Sequence, residues 1–182
     1  MNVVATPLPG VLVIEPRVFA DTRGFLFESF NRRAFRDATG IDTEFVQDNH
    51  SYSVRNALRG LHYQIRQAQG KVVRAVTGKV FDVAVDLRRS SPHFGRWTGI
   101  ELSAESKRMV WIPPGFGHGF YVLSEFADVL YKSTDFYAPA HERTVLWNDP
   151  QIGVRWPLTA EPPLLADKDR GGTPLATAEV YP

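Results

Sequence analysis

Short runs of β-branched and aromatic residues recur along the chain, separated by Gly, Pro, Asn and Asp. Such runs predict short strands joined by turns. They cover residues 11–14, 25–30, 72–76, 80–87, 108–112, 119–123, 128–133 and 144–147. Thr77-Gly78-Lys79 separates two of them and predicts a tight hairpin. The spacing indicates an antiparallel sandwich or jelly roll rather than a doubly wound sheet.

Only one helix is visible in the pattern, over residues 32–39. Asn31 is a suitable N-cap, and Ala34, Phe35 and Ala38 share one apolar side. Gly40 ends the segment. The chain is therefore predicted to be all-β with one or a few short helices.

The segment 80–87 carries two acidic residues on one face. Alternation along a strand makes the opposite face wholly apolar, whereas Asp82 and Asp86 share a face with Val80 and Ala84. A solvated outer face and the lining of a ligand cavity explain the two carboxylates equally well.

The segment Arg59-Gly60-Leu61-His62-Tyr63-Gln64 places an imidazole near a guanidinium in a β-rich region. If it is extended, Leu61 and Tyr63 face the core and His62 faces a cavity. Gly60 permits a close backbone approach. His62 is then a base, a metal ligand or a structural histidine.

Composition narrows these choices. The 182 residues suit one domain over 1–182, in which residues 161–182 form a C-terminal extension that is either loose or covers a site near which it packs. The 21 basic and 20 acidic residues nearly cancel, so no general field attracts nucleic acid or membranes. There is no cysteine, hence no thiolate nucleophile or disulfide scaffold. No signal or transmembrane segment is evident, which predicts a cytoplasmic protein.

A second histidine follows the rigid turn Pro113-Pro114-Gly115-Phe116-Gly117-His118. This turn and Gly60-Leu61-His62 resemble the two signature regions of the cupin superfamily, whose fold is a small double-stranded β-helix jelly roll. Metal-binding cupins carry a second histidine and a glutamate near the first, but here Gln64 follows Tyr63. Two histidines fall short of the usual three or four ligands, so no metal is predicted. A purely structural role for both histidines is the alternative.

Several further segments resemble the signatures of the dTDP-4-dehydrorhamnose 3,5-epimerase family. The resemblance runs in order from about residue 11 to residue 169. Besides residues 59–64, it rests on 21–29, 45–51, 69–74, 91–97, 115–125, 130–132 and 147–150. It implies a cofactor-free isomerase that converts dTDP-4-dehydro-6-deoxy-D-glucose to dTDP-4-dehydro-L-rhamnose, in dTDP-rhamnose synthesis for cell-surface polysaccharide such as O antigen.

The resemblance also implies catalytic roles. His62 is the base, oriented by Asp169 rather than by Asp167, because Lys168-Asp169 matches the family's Lys-Asp pair. Tyr131 is the acid on the opposite face, with its pKa lowered by nearby cations. Lys71 stabilises the enolate.

Substrate contacts follow from the same resemblance. Arg59 and Arg23 are candidates for the diphosphate, because their planar forks match phosphate oxygens. His118 is expected to contact the sugar. The remaining expected substrate-binding residues are Gln47, Asn49, Glu28, Glu142 and Lys168. Phe25, Phe27 and Tyr137 are possible thymine stackers, although core packing is the favoured interpretation of each.

The family forms homodimers in which an N-terminal segment reaches the partner's cavity, so a homodimer is expected here. Three alternatives remain. One is a relative that inverts a single carbon, the second is a cupin that only binds a nucleotide sugar, and the third is a metal-dependent cupin oxygenase or isomerase.

Overall fold

The computed structural model describes residues 1–182 and consists mainly of antiparallel strands. The helices are α1 (Arg32–Thr39), α2 (Asp167–Arg170) and a 3-10 turn (Pro139–His141). The strands are β1 (Asn2–Ala5), β2 (Leu12–Glu15), β3 (Val18–Asp21), β4 (Gly24–Phe27), β5 (Gln47–Val54), β6 (Leu58–Gln64), β7 (Lys71–Thr77), β8 (Lys79–Asp86), β9 (Trp97–Ser103), β10 (Met109–Ile112), β11 (Phe116–Val122), β12 (Phe126–Ser133) and β13 (Glu142–Thr144).

Two sheets form a sandwich. The six-stranded sheet has the order β1-β2-β10-β7-β12-β5, and the five-stranded sheet has the order β13-β6-β11-β8-β9. β3 and β4 form a separate hairpin. The predicted all-β, cupin-like jelly roll with few short helices is confirmed. No helix is both long and apolar enough to cross a membrane.

Three apolar clusters hold these layers together. The largest lies between the sheets and joins residues such as Val73 and Val110 of one sheet to Val80 and Phe120 of the other. A second covers the outer face of the six-stranded sheet, where Phe35 of α1 packs. A third covers the outer face of the five-stranded sheet with Leu175 and Ala178 from the C-terminal segment, together with Leu61, Tyr63 and Val83. The outer face of the five-stranded sheet is therefore shielded from water, whereas that of the six-stranded sheet is covered only in part, since Tyr52 and Val54 of β5 are exposed.

The two faces of β8 pack against different clusters. Val80 and Ala84 belong to the cluster between the sheets, whereas Val83 and Val85 belong to the cluster under the C-terminal segment. Asp82 and Asp86 are both completely buried. A solvated outer face for these two residues was therefore the wrong alternative, because the five-stranded sheet is covered on both sides.

The predicted helix is confirmed in detail. Asn31 Oδ1 accepts a hydrogen bond from the Ala34 amide at 3.1 Å, and Gly40 adopts a left-handed conformation with φ 73°. The predicted hairpin is wrong, because β7 belongs to the six-stranded sheet and β8 to the five-stranded sheet, so Thr77-Gly78-Lys79 is a tight connection between the two sheets. Gly78 lies alone between β7 and β8. A Cβ on Gly78 would lie 2.0 Å from the Phe126 carbonyl oxygen, so the turn requires glycine.

Some strands differ from the prediction. The strand predicted over 25–30 ends at Phe27. The strand predicted over 144–147 lies instead at Glu142–Thr144. β1, β3, β5 and β9 were missed. β5 is a polar edge strand that pairs only with β12, and β9 is interrupted by Gly99, against which the Phe81 ring packs. Neither sequence has the apolar run on which the prediction relied.

Residues 161–182 contact the sandwich along their length. Leu164 pairs with Ala57, Thr173 pairs with Val145, and Tyr181 pairs with Arg88 in isolated bridges. α2 lies within this segment, and its Asp169 lies beside Gly60 and His62 of β6.

Candidate active site

A cavity of about 200 Å³ opens between the two sheets. Eight of the twelve predicted site residues line it: Arg59, His62, Lys71, His118, Tyr131, Glu142, Lys168 and Asp169. They come from both sheets and from the C-terminal segment, so the cavity exists only in the folded chain.

His62 reaches the cavity because β6 lies unusually close to β11. A Cβ on Gly60 would lie 2.6 Å from Gly119 Cα and 2.8 Å from the His118 carbonyl oxygen. Leu61 and Tyr63 are buried under the C-terminal segment, as alternation predicted. The His62 side chain is 22% exposed and faces the cavity.

Asp169 holds the His62 ring. Asp169 Oδ1 lies 2.5 Å from His62 Nε2 and 3.4 Å from the Gly60 amide, and the residue is 1% exposed. A carboxylate accepts a hydrogen bond from an Nε2–H group, so we assign the Nε2–H tautomer, with a lone pair on Nδ1. Burial lowers the pKa of His62, although Asp169 partly opposes this. The ring is therefore neutral at pH 7 and able to accept a proton.

Lys71 is a buried amine. The residue is 9% exposed, and no ion pair in the structure includes it. Burial lowers the pKa of Lys71 to about 8, against the attraction of Asp82 and Glu142. Its Nζ lies 5.7 Å from the centre of the Tyr131 ring. At neutral pH the amine is still mostly charged and has no fixed acceptor.

Tyr131 faces the cavity from β12. Burial raises its pKa, and the positive charges of Lys168 and Arg59 offset only part of this rise. The prediction that nearby cations lower the pKa of this phenol was therefore wrong in net direction, because desolvation outweighs them. The phenol remains protonated near pH 7, which is the form that a proton donor needs.

Two of the predicted binding residues are held by other side chains. Glu142 accepts hydrogen bonds from Lys168 Nζ at 2.9 Å and from the Tyr137 hydroxyl at 3.2 Å. Arg59 donates to Ser53 Oγ at 2.9 Å and to the Tyr52 carbonyl at 3.1 Å. Both are thus fixed at the rim before any ligand enters.

Comparison with known proteins agrees with this geometry. The family model of dTDP-4-dehydrorhamnose 3,5-epimerase matches residues 5–177. The chain belongs to this family. The family and the isomerase class predicted from the sequence are confirmed.

Individual relatives cover nearly the whole chain. A dTDP-4-dehydrorhamnose 3,5-epimerase of Pseudomonas aeruginosa is 61% identical over 100% of both chains. The dTDP-6-deoxy-D-glucose-3,5-epimerase of Legionella pneumophila, solved with dTDP-4-keto-L-rhamnose, is 48% identical with TM-score 0.95 and covers 98% of this chain and 94% of that one. A 3'-monoepimerase of Streptomyces bikiniensis, solved with dTDP-quinovose, is 39% identical with TM-score 0.89 and covers 97% and 88%.

Four predicted residues of this epimerase-family chain lie outside the cavity. Arg23 is 88% exposed on the β3–β4 hairpin and pairs with Asp21. Glu28 accepts a hydrogen bond from the Asn31 amide group at 2.9 Å. Gln47 and Asn49 are hydrogen-bonded to each other on β5. The fold of one chain does not bring these four side chains to His62.

The aromatic candidates also differ from the favoured interpretation. Phe25 is 60% exposed on the hairpin and stacks on the half-buried Phe27, with ring centroids 6.0 Å apart. Tyr137 is 53% exposed at the cavity rim. Core packing was therefore wrong for Phe25 and Tyr137, because neither segment is covered by another layer of the chain.

Sequence reasoning missed one residue in close contact with the site. Asp82 Oδ2 lies 2.9 Å from His118 Nε2, so His118 is also bound to a carboxylate. The signal was an acidic residue on an otherwise apolar strand, which alternation left undecided. Apart from Gln64, the other cavity residues to which no catalytic or binding role was given are Ser51, Tyr63, Gln69, Gly119, Phe120 and Ala166.

Gln64, which stands where a metal-binding cupin carries a ligand, is part of the scaffold. Its amide donates to the Gln67 and Phe136 carbonyls and accepts from the Ala138 amide. No group of three or more His, Asp or Glu side chains is arranged to hold a metal ion. The absence of a catalytic metal remains a prediction.

Proposed function

We propose that this protein converts dTDP-4-dehydro-6-deoxy-α-D-glucose to dTDP-4-dehydro-β-L-rhamnose, by removing and returning protons at carbons 3 and 5. The name of the Pseudomonas aeruginosa relative and the ligand of the Legionella pneumophila enzyme support this substrate class. The observation that carries the proposal is the neutral, carboxylate-bound His62 facing the same cavity as Lys71 and Tyr131.

Proton removal is assigned to His62. The 4-keto group acidifies the hydrogens on its neighbouring carbons, and a base beside such a carbon can take one. With Nε2–H bound to Asp169, Nδ1 receives the proton, and the carboxylate stabilises the imidazolium that forms.

Stabilisation of the negative charge that develops on the keto oxygen is assigned to Lys71. An ammonium in a site largely free of water stabilises an enolate strongly, because little solvent screens the interaction. Lys71 has no ion-pair partner to compete with that oxygen.

Inversion requires that the proton return from the opposite face of the ring. His62 belongs to the five-stranded sheet and Tyr131 to the six-stranded sheet, so base and phenol lie on different walls of the cavity. The protonated phenol of Tyr131 donates its proton to the carbon. The positive charges of Lys168 and Arg59 favour the phenolate that remains.

A homodimer explains the residues left outside the cavity. Arg23 and Glu28 lie on or beside a hairpin whose Phe25 and Leu26 are largely exposed. In the proposed dimer this hairpin reaches the cavity of a second copy, where Arg23 joins Arg59 at the diphosphate. Light scattering is expected to give twice the chain mass, and Leu26→Asp is expected to lower it to one.

The decisive experiment is turnover of the 4-keto sugar nucleotide in heavy water, followed by NMR and coupled to a rhamnose-forming reductase. Deuterium at both carbons 3 and 5 is expected. Deuterium at one carbon alone would instead assign a single-carbon epimerase, an alternative kept open by the similarity to the Streptomyces bikiniensis 3'-monoepimerase.

Two controls separate the remaining classes. Activity that survives a chelator would exclude a metal-dependent reaction, and absence of any turnover despite tight binding would indicate a binding protein. Tyr131→Phe is the matched variant for the acid: it is expected to exchange deuterium through His62 while forming little inverted product.

We also propose that the enzyme acts in the cytoplasm and supplies rhamnose for cell-surface polysaccharide, including O antigen. Its nucleotide-linked substrate and its lack of cysteine support this placement. Loss of rhamnose from the polysaccharide of a deletion strain, restored by the wild-type chain but not by His62→Asn, is the expected result.

A further inference from the structure

Asp82 and His118 form a second histidine–carboxylate pair within the sandwich. Their side chains lie 2.9 Å apart, and Asp82 is fully buried. β8 and β11 are antiparallel neighbours in which Asp82 is opposite Phe120, two residues from His118. Because residues two apart share a face, both side chains point between the sheets. The pair is thus built into the sheet, directly behind the cavity wall.

Asp82 is only partly satisfied by His118. Its Oδ1 atom is buried and has no hydrogen-bond partner, which is costly for a carboxylate oxygen. No lysine or arginine forms an ion pair with it, and its one side-chain hydrogen-bond partner is His118. The negative charge of Asp82 is therefore not neutralised by direct contact with a lysine or arginine.

Lys71 lines the same cavity as His118 and is itself buried. Among the negative groups around Lys71, Asp82 of β8 has the largest effect and Glu142 of β13 the next. Glu142 is already bound to Lys168, so Asp82 is the acidic group that remains available. The other titratable groups around the amine are Lys168 of α2, His62 of β6, His118 of β11 and Tyr131 of β12.

We propose that Asp82 is a positioning residue of this active site, which orients His118 through Nε2 and keeps Lys71 in its charged ammonium form. The inference rests on the proposed function, in which the Lys71 ammonium faces the enolate oxygen. Burial alone favours the neutral amine, which could not stabilise that oxygen by charge. The fixed carboxylate of Asp82 inside the sandwich opposes this effect of burial on the Lys71 amine and does not occupy the cavity.

The test measures the charge of Lys71 without substrate. The chain has five lysines, so protein labelled with 13C at lysine Cε gives few signals, and Lys71→Met assigns the one in question. The wild-type signal is expected to titrate near pH 8. In Asp82→Asn, which keeps an acceptor for His118 but removes the charge, the midpoint is expected to fall by about one pH unit.

Asp86→Asn is the matched control, because Asp86 lies on the same strand and is equally buried but pairs with Arg88 and Ser91. It should leave the Lys71 midpoint in place. An unmoved midpoint in Asp82→Asn, or an equal shift in Asp86→Asn, would overturn the proposal.

The same variants separate this inference from the proposed function. With the 4-keto sugar nucleotide, the alkaline limb of kcat/KM in Asp82→Asn should move to lower pH together with the midpoint, because kcat/KM reports the free enzyme in which the midpoint is measured. A shifted midpoint with an unmoved limb would overturn the catalytic part of the inference. Absence of epimerisation by the wild type would reject the proposed function, while the NMR result would still decide whether Asp82 sets the charge of Lys71.

If Asp82→Asn does not fold, the wild-type protein still supports a decision. In 15N spectra of labelled histidine, assigned with His118→Asn, neutral His118 is expected as the Nε2–H tautomer. An Nδ1–H tautomer would contradict orientation by Asp82.

Discussion

The two histidine–carboxylate pairs use the same groups but differ in how they are assembled. His62 and Asp169 are 107 residues apart, and the carboxylate arrives on α2 of the C-terminal segment. His118 and Asp82 are 36 residues apart on adjacent strands of one sheet. The His62 side chain is 22% exposed to the cavity, against 8% for His118.

In the proposed function, this difference separates a base from a fixed contact. A proton acceptor must present a free nitrogen to its substrate, as Nδ1 of His62 does there. A histidine buried in the sheet offers a fixed contact and shapes the cavity without needing to exchange protons with the ligand. Suitability as a proton acceptor therefore depends on access to the cavity, and not on how far apart the two residues of a pair lie in the sequence.

The largest expected effect comes from removing each imidazole in turn. His62→Asn should lower kcat by about 10³–10⁴-fold, because it removes the base, and should abolish deuterium uptake. His118→Asn should lower kcat by about tenfold, as expected for a lost hydrogen bond. A coupled assay with NMR in heavy water measures both, and circular dichroism checks the fold. Loss of deuterium uptake in His118→Asn would contradict the distinction between the pairs.

Asp169→Asn tests the orienting carboxylate. An amide can donate to Nε2 and favour the tautomer with a proton on Nδ1, which removes the acceptor, so a loss of about 10²-fold or more in kcat is expected. Asp167→Asn is the control, since Asp167 is exposed on the same helix. Equal losses in the two variants would point to a disturbed α2 rather than to a lost tautomer.

Lys71→Met should stabilise the fold while it removes activity. The pKa of Lys71 is about 8 in the fold against 10.5 ordinarily, so the unfolded chain binds this proton more tightly. At about 1.4 kcal/mol per unit, the buried ammonium costs up to about 3 kcal/mol at pH 7. The cost is full below pH 8 and disappears as the pH rises through 10.5.

Urea unfolding at pH 7 and pH 10 measures this change in the free energy of unfolding. The gain from Lys71→Met should be large at pH 7 and small at pH 10. Lys79→Met, at a half-exposed lysine paired with Glu101, should change stability by no more than about 1 kcal/mol. A gain from Lys71→Met that does not depend on pH would contradict burial of a charged amine.

The rate should fall about tenfold per pH unit on each limb of its pH profile. The acid limb of kcat/KM should lie below pH 6.5, because burial lowers the pKa of His62. The alkaline limb should lie near pH 8, where Lys71 loses its charge. Tyr131 should not produce the latter limb, because its pKa is raised. An acid limb above pH 6.5 would indicate that Asp169 outweighs burial.

Much of this architecture could be predicted from local patterns. Asn31 and Gly40 act within one helix, so their neighbours in the sequence are sufficient to predict them. Gly78 is different, because the atom that a Cβ there would meet belongs to Phe126. β5 could not be recognised in the same way, because its polar residues become a strand only through pairing with β12. The side on which Asp82 lies was equally undecided, since it depends on which sheet covers β8.

The sequence by itself determined the all-β class and the family, and it supplied the groups proposed for proton transfer, because motifs and alternation are local properties. Only the tertiary structure decided which nitrogen of His62 is held by Asp169, which residue pairs with His118, and that the pKa of Tyr131 rises rather than falls. These depend on distance and desolvation between segments remote in the chain, and burial is a property of the packed sheets, not of any one segment.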